Sequence, residues 1–328
     1  MKRILSLLSI TFLLVACGND DDDNIAQVPP RLLSEVEPED RAEIIAFLKT
    51  HFYNYEEFQT PPADFDFKIR VDTIAGDNLD KIPLIQQVDS AIISVSANEF
   101  ALSDGEENIP HQYYYLNARS GVEEKANPTI ADSVFVRYEG KLLNGNSFDG
   151  STTNPIWFDL ARIQAPLQGF RGFSEVMVNF KPGGDAIINP DGTFAVEDYG
   201  VGMMIFPSGL GGFNNATGGV PQYSPLIFEI DLFTINTADH DGDGIPSIQE
   251  DLNGNGFLYD DNTDADSERS AGNGQLFVDF LDLDDDDDGI STREEISDAD
   301  GNIIFPYPST GGVPDYLNPN VQRTSDNN

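Results

Sequence analysis

The chain has 328 residues, 57 of them acidic and 18 basic, for a formal net charge of −39. No basic patch could offset that field over a phosphate backbone, so nucleic acid is excluded as a partner. Acidity of this order implies either solvation or divalent cations, and the spacing of the aspartates decides between them.

Lys2 and Arg3 precede a short apolar run, Ile4 to Ala16, which is too short to span a bilayer and reads as a secretory signal. The run closes on Leu-Val-Ala-Cys, residues 14–17, which resembles a bacterial lipoprotein box; Cys17 is the chain's one cysteine, so it has no internal disulfide partner. The resemblance implies cleavage before Cys17 and lipidation of its thiol and new α-amine. Several acyl chains at roughly 0.8 kcal/mol per buried methylene would anchor the chain stably. A soluble secreted protein cut elsewhere is the alternative. The acidic stretch Gly18–Asn24 then reads as a solvated spacer. It also resembles acidic tracts that direct lipoproteins to the cell surface. The expected location is the cell envelope, as an outer-membrane lipoprotein, with surface exposure as the sharper form. Residues 1–16 are thus assigned to the signal and 17–33 to the lipidated cysteine and linker.

Residues 34–110 read as a small helix-plus-strand region. A helix is expected around Glu37–Asn54, with Glu39 and Asp40 favouring its N-terminus and Ile44, Ile45, Leu48 and Phe52 on one stripe. "FKIRVDTI" and "SAIISVS" read as strands, and nothing there carries chemistry, so a scaffold or spacer role is expected.

Between residues 111 and 237 the pattern becomes β. "QYYYLN" is a strand, and in "DSVFVRYEGKLL" Val134, Val136 and Tyr138 alternate with Phe135, Arg137 and Glu139. Asn144-Gly145 suits a tight hairpin. "PIWFDL" reads as a further strand, "GFSEVMVNF" as a short helix, and "GVGMMIFP" and "SPLIFEIDLF" as two more strands, with Leu226, Phe228, Ile230 and Leu232 sharing a face. Antiparallel strands around one short helix describe an α+β, half-wrapped sheet.

In that order, "VRYEGKLLNGNSFDGS", "PIWFDL", "GFRGFSEVMVNFKPGG", "IFPSGLGG" and "GGVPQYSPLIFEIDL" resemble the FKBP-type peptidyl-prolyl isomerases. The resemblance implies a pocket lined by Tyr138, the pair Phe148-Asp149, Phe158, Phe170, Phe173 in place of a floor tryptophan, Val220, Pro221 and Phe228. It implies proline-containing polypeptides as partners and no cofactor for isomerisation. Two departures stand out. Gly211 occupies a place where the family often has a tyrosine whose hydroxyl holds the substrate carbonyl, Phe213 nearby having none. The stretch 184–199 is longer than the usual connection and suggests an added hairpin beside the pocket. Turning a peptide bond costs about 18–20 kcal/mol because resonance is broken. A dry aromatic bowl favours the twisted amide differentially, without proton shuttle, nucleophile or metal. A chain whose histidines are His51, His111 and His240 fits that chemistry.

The tail, 238–328, changes character. Asp239, Asp241, Asp243, Gly244, Ile245 and Glu250 fall at positions one, three, five, six, seven and twelve of an EF-hand-like loop. Asp284, Asp286, Asp288, Gly289, Ile290 and Glu295 repeat the register, with Ile245 and Ile290 offering backbone carbonyls. A degraded copy starts at Asp251 and a fragment at Asp298. Flanking helices are not evident, so the tail resembles thrombospondin type 3-like calcium repeats. Ca2+ is expected as a structural ion and, without it, a disordered acidic segment. The expectation is therefore an envelope-tethered prolyl isomerase with a calcium-stiffened tail. The alternatives are a docking module with the FKBP-like fold, its pocket plugged by 184–199, or a calcium-dependent adhesive lipoprotein.

Overall fold

The computed structural model describes residues 29–165, 168–190, 194–271 and 277–325. The signal run, Cys17 and the acidic tract lie outside the described residues. Six strands form one antiparallel sheet: β1 (Asp89–Val95), β2 (Ile109–Arg119), β3 (Ser133–Leu142), β4 (Ser147–Asp159), β5 (Gly200–Phe206) and β6 (Leu226–Asn236). Their spatial order is β1-β2-β5-β6-β3-β4. The chain is α+β with few helices, as the strand alternation implied.

The β3–β4 hairpin turns at Asn144-Gly145, where Gly145 takes φ +84°. "PIWFDL" is not a separate strand but the second half of β4. Val136 faces Ile156 and Tyr138 faces Ser151, so the intervening residues bulge out of the ladder. Pro155 sits in that bulge, where its missing N–H costs no ladder bond.

Both faces of the sheet are covered at its centre, where every residue of β5 is buried, while the edge strands β1 and β4 are largely exposed. One face carries Val136, Tyr138, Met204, Phe206, Phe228 and Ile230 against the short helix α2 (Arg171–Met177). The other carries Tyr114, Leu116, Met203, Ile205 and Ile227 against Ile44, Phe47 and Leu48 of the helix α1 (Leu33–Thr50). An unbroken apolar run such as "GMMIF" is what a strand covered on both faces requires.

Helix α1 departs from its predicted span at both ends. It begins at Leu33 and runs through Pro38. The extra turn buries Leu33 and Val36 in the core, which outweighs the one hydrogen bond that Pro38 cannot donate. Phe52 lies beyond the helix, in a short strand His51–Tyr53 paired with Val71–Thr73. Asp40 is not a charge at the helix start. It is buried and accepts hydrogen bonds from the Ser208 amide (2.7 Å) and hydroxyl (2.6 Å), pinning α1 to the turn after β5.

Burial, offset in part by those bonds, pushes the Asp40 carboxyl up to about 6. The native state therefore keeps a proton that the unfolded chain releases near its ordinary value of 3.8, and stability falls as pH rises between them. Asp40→Asn removes this slope. In urea unfolding, the variant should gain on the parent by about 2–3 kcal/mol between the bottom and top of that window. Parallel pH profiles would sink the assignment.

Candidate functional site

A cavity of about 390 Å³ opens over the α2 face of the sheet. β3 contributes Tyr138, β4 contributes Phe148, Asp149 and Phe158, β6 contributes Phe228, and the α2 entry contributes Phe170 and Phe173. The rings form a continuous edge-to-face set: Tyr138–Phe158 at 4.9 Å between centroids, Phe158–Phe173 at 5.1 Å, Phe173–Phe228 at 5.2 Å and Phe148–Phe228 at 5.6 Å. Such contacts add order to the area they bury. Gly140 makes room for this: a Cβ there would stand 2.7 Å from the Phe148 ring.

One polar pair joins two of the aromatic wall's strands. The Tyr138 hydroxyl donates to Asp149 Oδ2 at 2.8 Å, and the Gly150 amide donates to Asp149 Oδ1 at 2.8 Å. Burial, with the carboxylate beside it, pushes the Tyr138 phenol up, so the hydroxyl keeps its proton. Val220 lines the cavity; Pro221 is exposed and does not. The nine residues named from the resemblance thus converge on one cavity except Pro221. Gly211 lines the wall, while Phe213 is buried away from it, 5.2 Å from Phe100 and 5.1 Å from Tyr223. Asn215 and the hydroxyl-bearing Thr217 line the cavity along with Gly211. The segment 184–199 does form a hairpin, Ile187–Ile188 against Phe194–Ala195. None of its described residues lines the cavity, and Phe194 packs on Phe135 instead.

Sequence reasoning missed one wall. Glu99 and Phe100 from the N-terminal region, Arg171 and the tail residue Phe257 also line the cavity. Arg171 is buried and ties these segments together. It donates to Glu99 Oε2 (2.7 Å), Glu175 Oε1 (2.9 Å) and the carbonyls of Ser94 (3.2 Å) and Asn255 (3.0 Å), and it lies 5.1 Å from the Phe257 ring centre. Burial pushes both glutamates up, against the pull of the guanidinium. One signal was available: Ser96-x-x-Glu99 is a capping-box pattern, and both of its bonds form.

The tail folds as loops on this body. Leu258 and Phe280 pack with Ile130, Ala131 and Ala161. In the two repeats Gly244 (φ +106°) and Gly289 (φ +90°) make the sharp turn. Their amides donate at 3.1 Å to Asp239 Oδ2 and Asp284 Oδ2. The degraded copy has the same bond, from Gly256 to Asp251 Oδ2 at 3.1 Å. Carboxylate oxygens of Asp239, Asp241 and Asp243 lie within 4.8 Å of one another, as do those of Asp284, Asp286 and Asp288. Buried oxygens of Asp241, Asp243, Glu250, Asp284, Asp286, Asp288 and Glu295 have no hydrogen-bond partner. Orphaned, converging carboxylates are what a calcium site presents before its ion is counted, so the residues present fit that cation. Burial, reinforced by Asp241 and Asp243, pushes Glu250 up to about 9.

An antiparallel sheet with an aromatic bowl over a short helix defines an α+β domain with an open apolar cavity. Residues 124–233 match the family model of FKBP-type peptidyl-prolyl cis-trans isomerases. Residues 240–321 match a second family model, described as BamM C-terminal. The chain is 29% identical over 144 residues to the probable FKBP-type peptidyl-prolyl cis-trans isomerase FkpA of Neisseria meningitidis, covering 43% of this chain and 44% of that one. It is 29% identical over 126 residues to the peptidyl-prolyl cis-trans isomerase Mip of Coxiella burnetii, covering 38% and 44%. It therefore spans less than half the length of these curated relatives. The solved FkpA of Escherichia coli is 18% identical, with a match that covers 62% of this chain and 63% of that one at a TM-score of 0.31. Among the described residues, no helix is long and apolar enough to cross a membrane.

Proposed function

We propose that this chain catalyses cis–trans isomerisation of prolyl bonds in exported or surface polypeptides, with its tail held by calcium and its N-terminus anchored in the envelope through Cys17. The observation that carries the catalytic reading is the open aromatic bowl with its Tyr138–Asp149 pair. A planar X-Pro amide enters a site whose rings offer it few hydrogen bonds. Twisting the bond removes the resonance that made its carbonyl a strong acceptor. Desolvation therefore disfavours the planar form more than the twisted one, and the barrier falls. The Tyr138–Asp149 bond fixes the ring and directs the wall of the bowl, and no group has to exchange a proton.

The test is exchange-rate NMR on a short Leu-Pro or Phe-Pro peptide with the full chain. Phe173→Ala is expected to abolish the acceleration. Tyr138→Phe keeps the ring but loses the bond to Asp149, and is expected to lower the rate about tenfold, the worth of one charge-assisted hydrogen bond. A folded parent chain without acceleration would overturn the enzyme reading. It would leave the docking module, which Gly211 in place of a hydroxyl-bearing side chain favours.

The anchoring part rests on the Leu-Val-Ala-Cys stretch and the lone cysteine. Labelling with a radioactive or alkyne fatty acid checks it: Cys17→Ser should abolish incorporation.

A further inference from the structure

Asp285 stands at position two of the second repeat, where an EF-hand-like loop has no ligand. Its carboxylate is not part of the cluster that Asp284, Asp286 and Asp288 form. It lies instead with two residues of the first repeat: oxygens of Asp241, Glu250 and Asp285 are all within 4.8 Å of one another. Glu250 and Asp285 are each 1% exposed, and both oxygens of each lack a hydrogen-bond partner. The backbone holds Asp285 in place, since its amide donates to the buried Thr292 hydroxyl at 3.2 Å. Buried carboxylates this close repel one another.

We propose that Asp285 is a ligand of the first repeat's cation site, so that the two repeats share one divalent cation between them. This rests on the reading that the tail takes calcium, and adds to it a ligand and a link between loops. The donor set is oxygen alone and rich in carboxylate, which selects a hard cation. A further carboxylate from outside the loop suits the six to eight flexible ligands of Ca2+ better than the strict octahedron of Mg2+. Because the ligand and the loop it serves belong to different repeats, filling the first site orders the second. The two then bind with positive coupling.

Calcium titration into the metal-free full chain tests this, with Glu295→Gln as the background that disables the second repeat's own closing ligand. In that background Asp285→Asn is expected to weaken the first repeat's calcium site by at least about tenfold. Asp287→Asn, at an exposed neighbour outside the cluster, is expected to leave it unchanged. Melting gives a second, independent signature. Asp285→Asn should leave the melting temperature unchanged in chelator, where the repeats are already unfolded, and lower it in excess calcium, where it removes a ligand. An affinity within about twofold of the background, or a melting temperature lowered in both conditions, would overturn the shared site while leaving calcium binding intact. A parent chain that takes up no calcium at millimolar concentration would remove both readings.

Discussion

Arg171→Met is expected to destabilise the folded chain by about 3–5 kcal/mol, the range for a buried ion pair that loses one partner. The methionine fills much of the same volume, so the loss is one of charge and hydrogen bonds rather than packing. Glu99 and Glu175 would remain buried with no cation between them, and the carbonyls of Ser94 and Asn255 would lose a donor. The defect should depend on pH in a defined sense. Burial already holds both glutamates above their ordinary range, and removing the guanidinium raises them further. The native variant then binds protons that the unfolded chain does not, so its stability falls as pH rises and recovers on acidification. Arg171→Lys should recover only part of the loss, because one ammonium cannot reach both carboxylates and both carbonyls. Urea unfolding at several pH values reads all of this. A defect that is flat with pH would show that the network contributes packing and not charge.

Chelation is expected to have the second large effect. With calcium withdrawn, the repeats at 239–250 and 284–295 should lose their amide protection, while β3, β5 and β6 keep theirs. Each buried, unpartnered carboxylate costs several kcal/mol. The orphaned oxygens of Asp241, Asp243, Glu250, Asp285 and Glu295 lie in these loops, so without a cation the carboxyl groups repel one another or must take up protons. The small apolar clusters around Ile245, Ile296 and Tyr316 cannot offset that. Added monovalent salt should not restore protection, since screening acts on exposed charges and these are buried. Hydrogen-exchange mass spectrometry with and without chelator checks it. Identical protection maps would sink the structural role of the cation.

What was readable in the sequence follows from the range of the forces involved. Strand alternation is local, so β3 and β6 were legible, and five motifs in order located the bowl. The ends of α1 were not, because Pro38 is a local breaker overruled by burial of Leu33 and Val36 against distant residues. The second covered face of the sheet was visible only in hindsight, in the unbroken apolar run of β5. Glu99, Arg171 and Phe257 meet across long separations, and a lone Arg between glycines and phenylalanines carries no local sign that it is buried. Pro221 failed in the opposite way: its neighbour Val220 turns inward, and the chain reverses before the next side chain can follow. Asp285 was passed over because the loop register assigns nothing to position two.

The cavity wall that joins Glu99, Arg171 and Phe257 has a consequence for the order in which the protein is made. A ribosome delivers the chain from its N-terminus, and the sheet is complete once β6 has emerged, at Asn236. At that moment the bowl still lacks Phe257 and the Asn255 carbonyl that holds the guanidinium. Every nascent or prematurely ended product shorter than this carries the aromatic floor with one side missing. Completion of the cavity therefore waits on the emergence of the degraded loop that starts at Asp251.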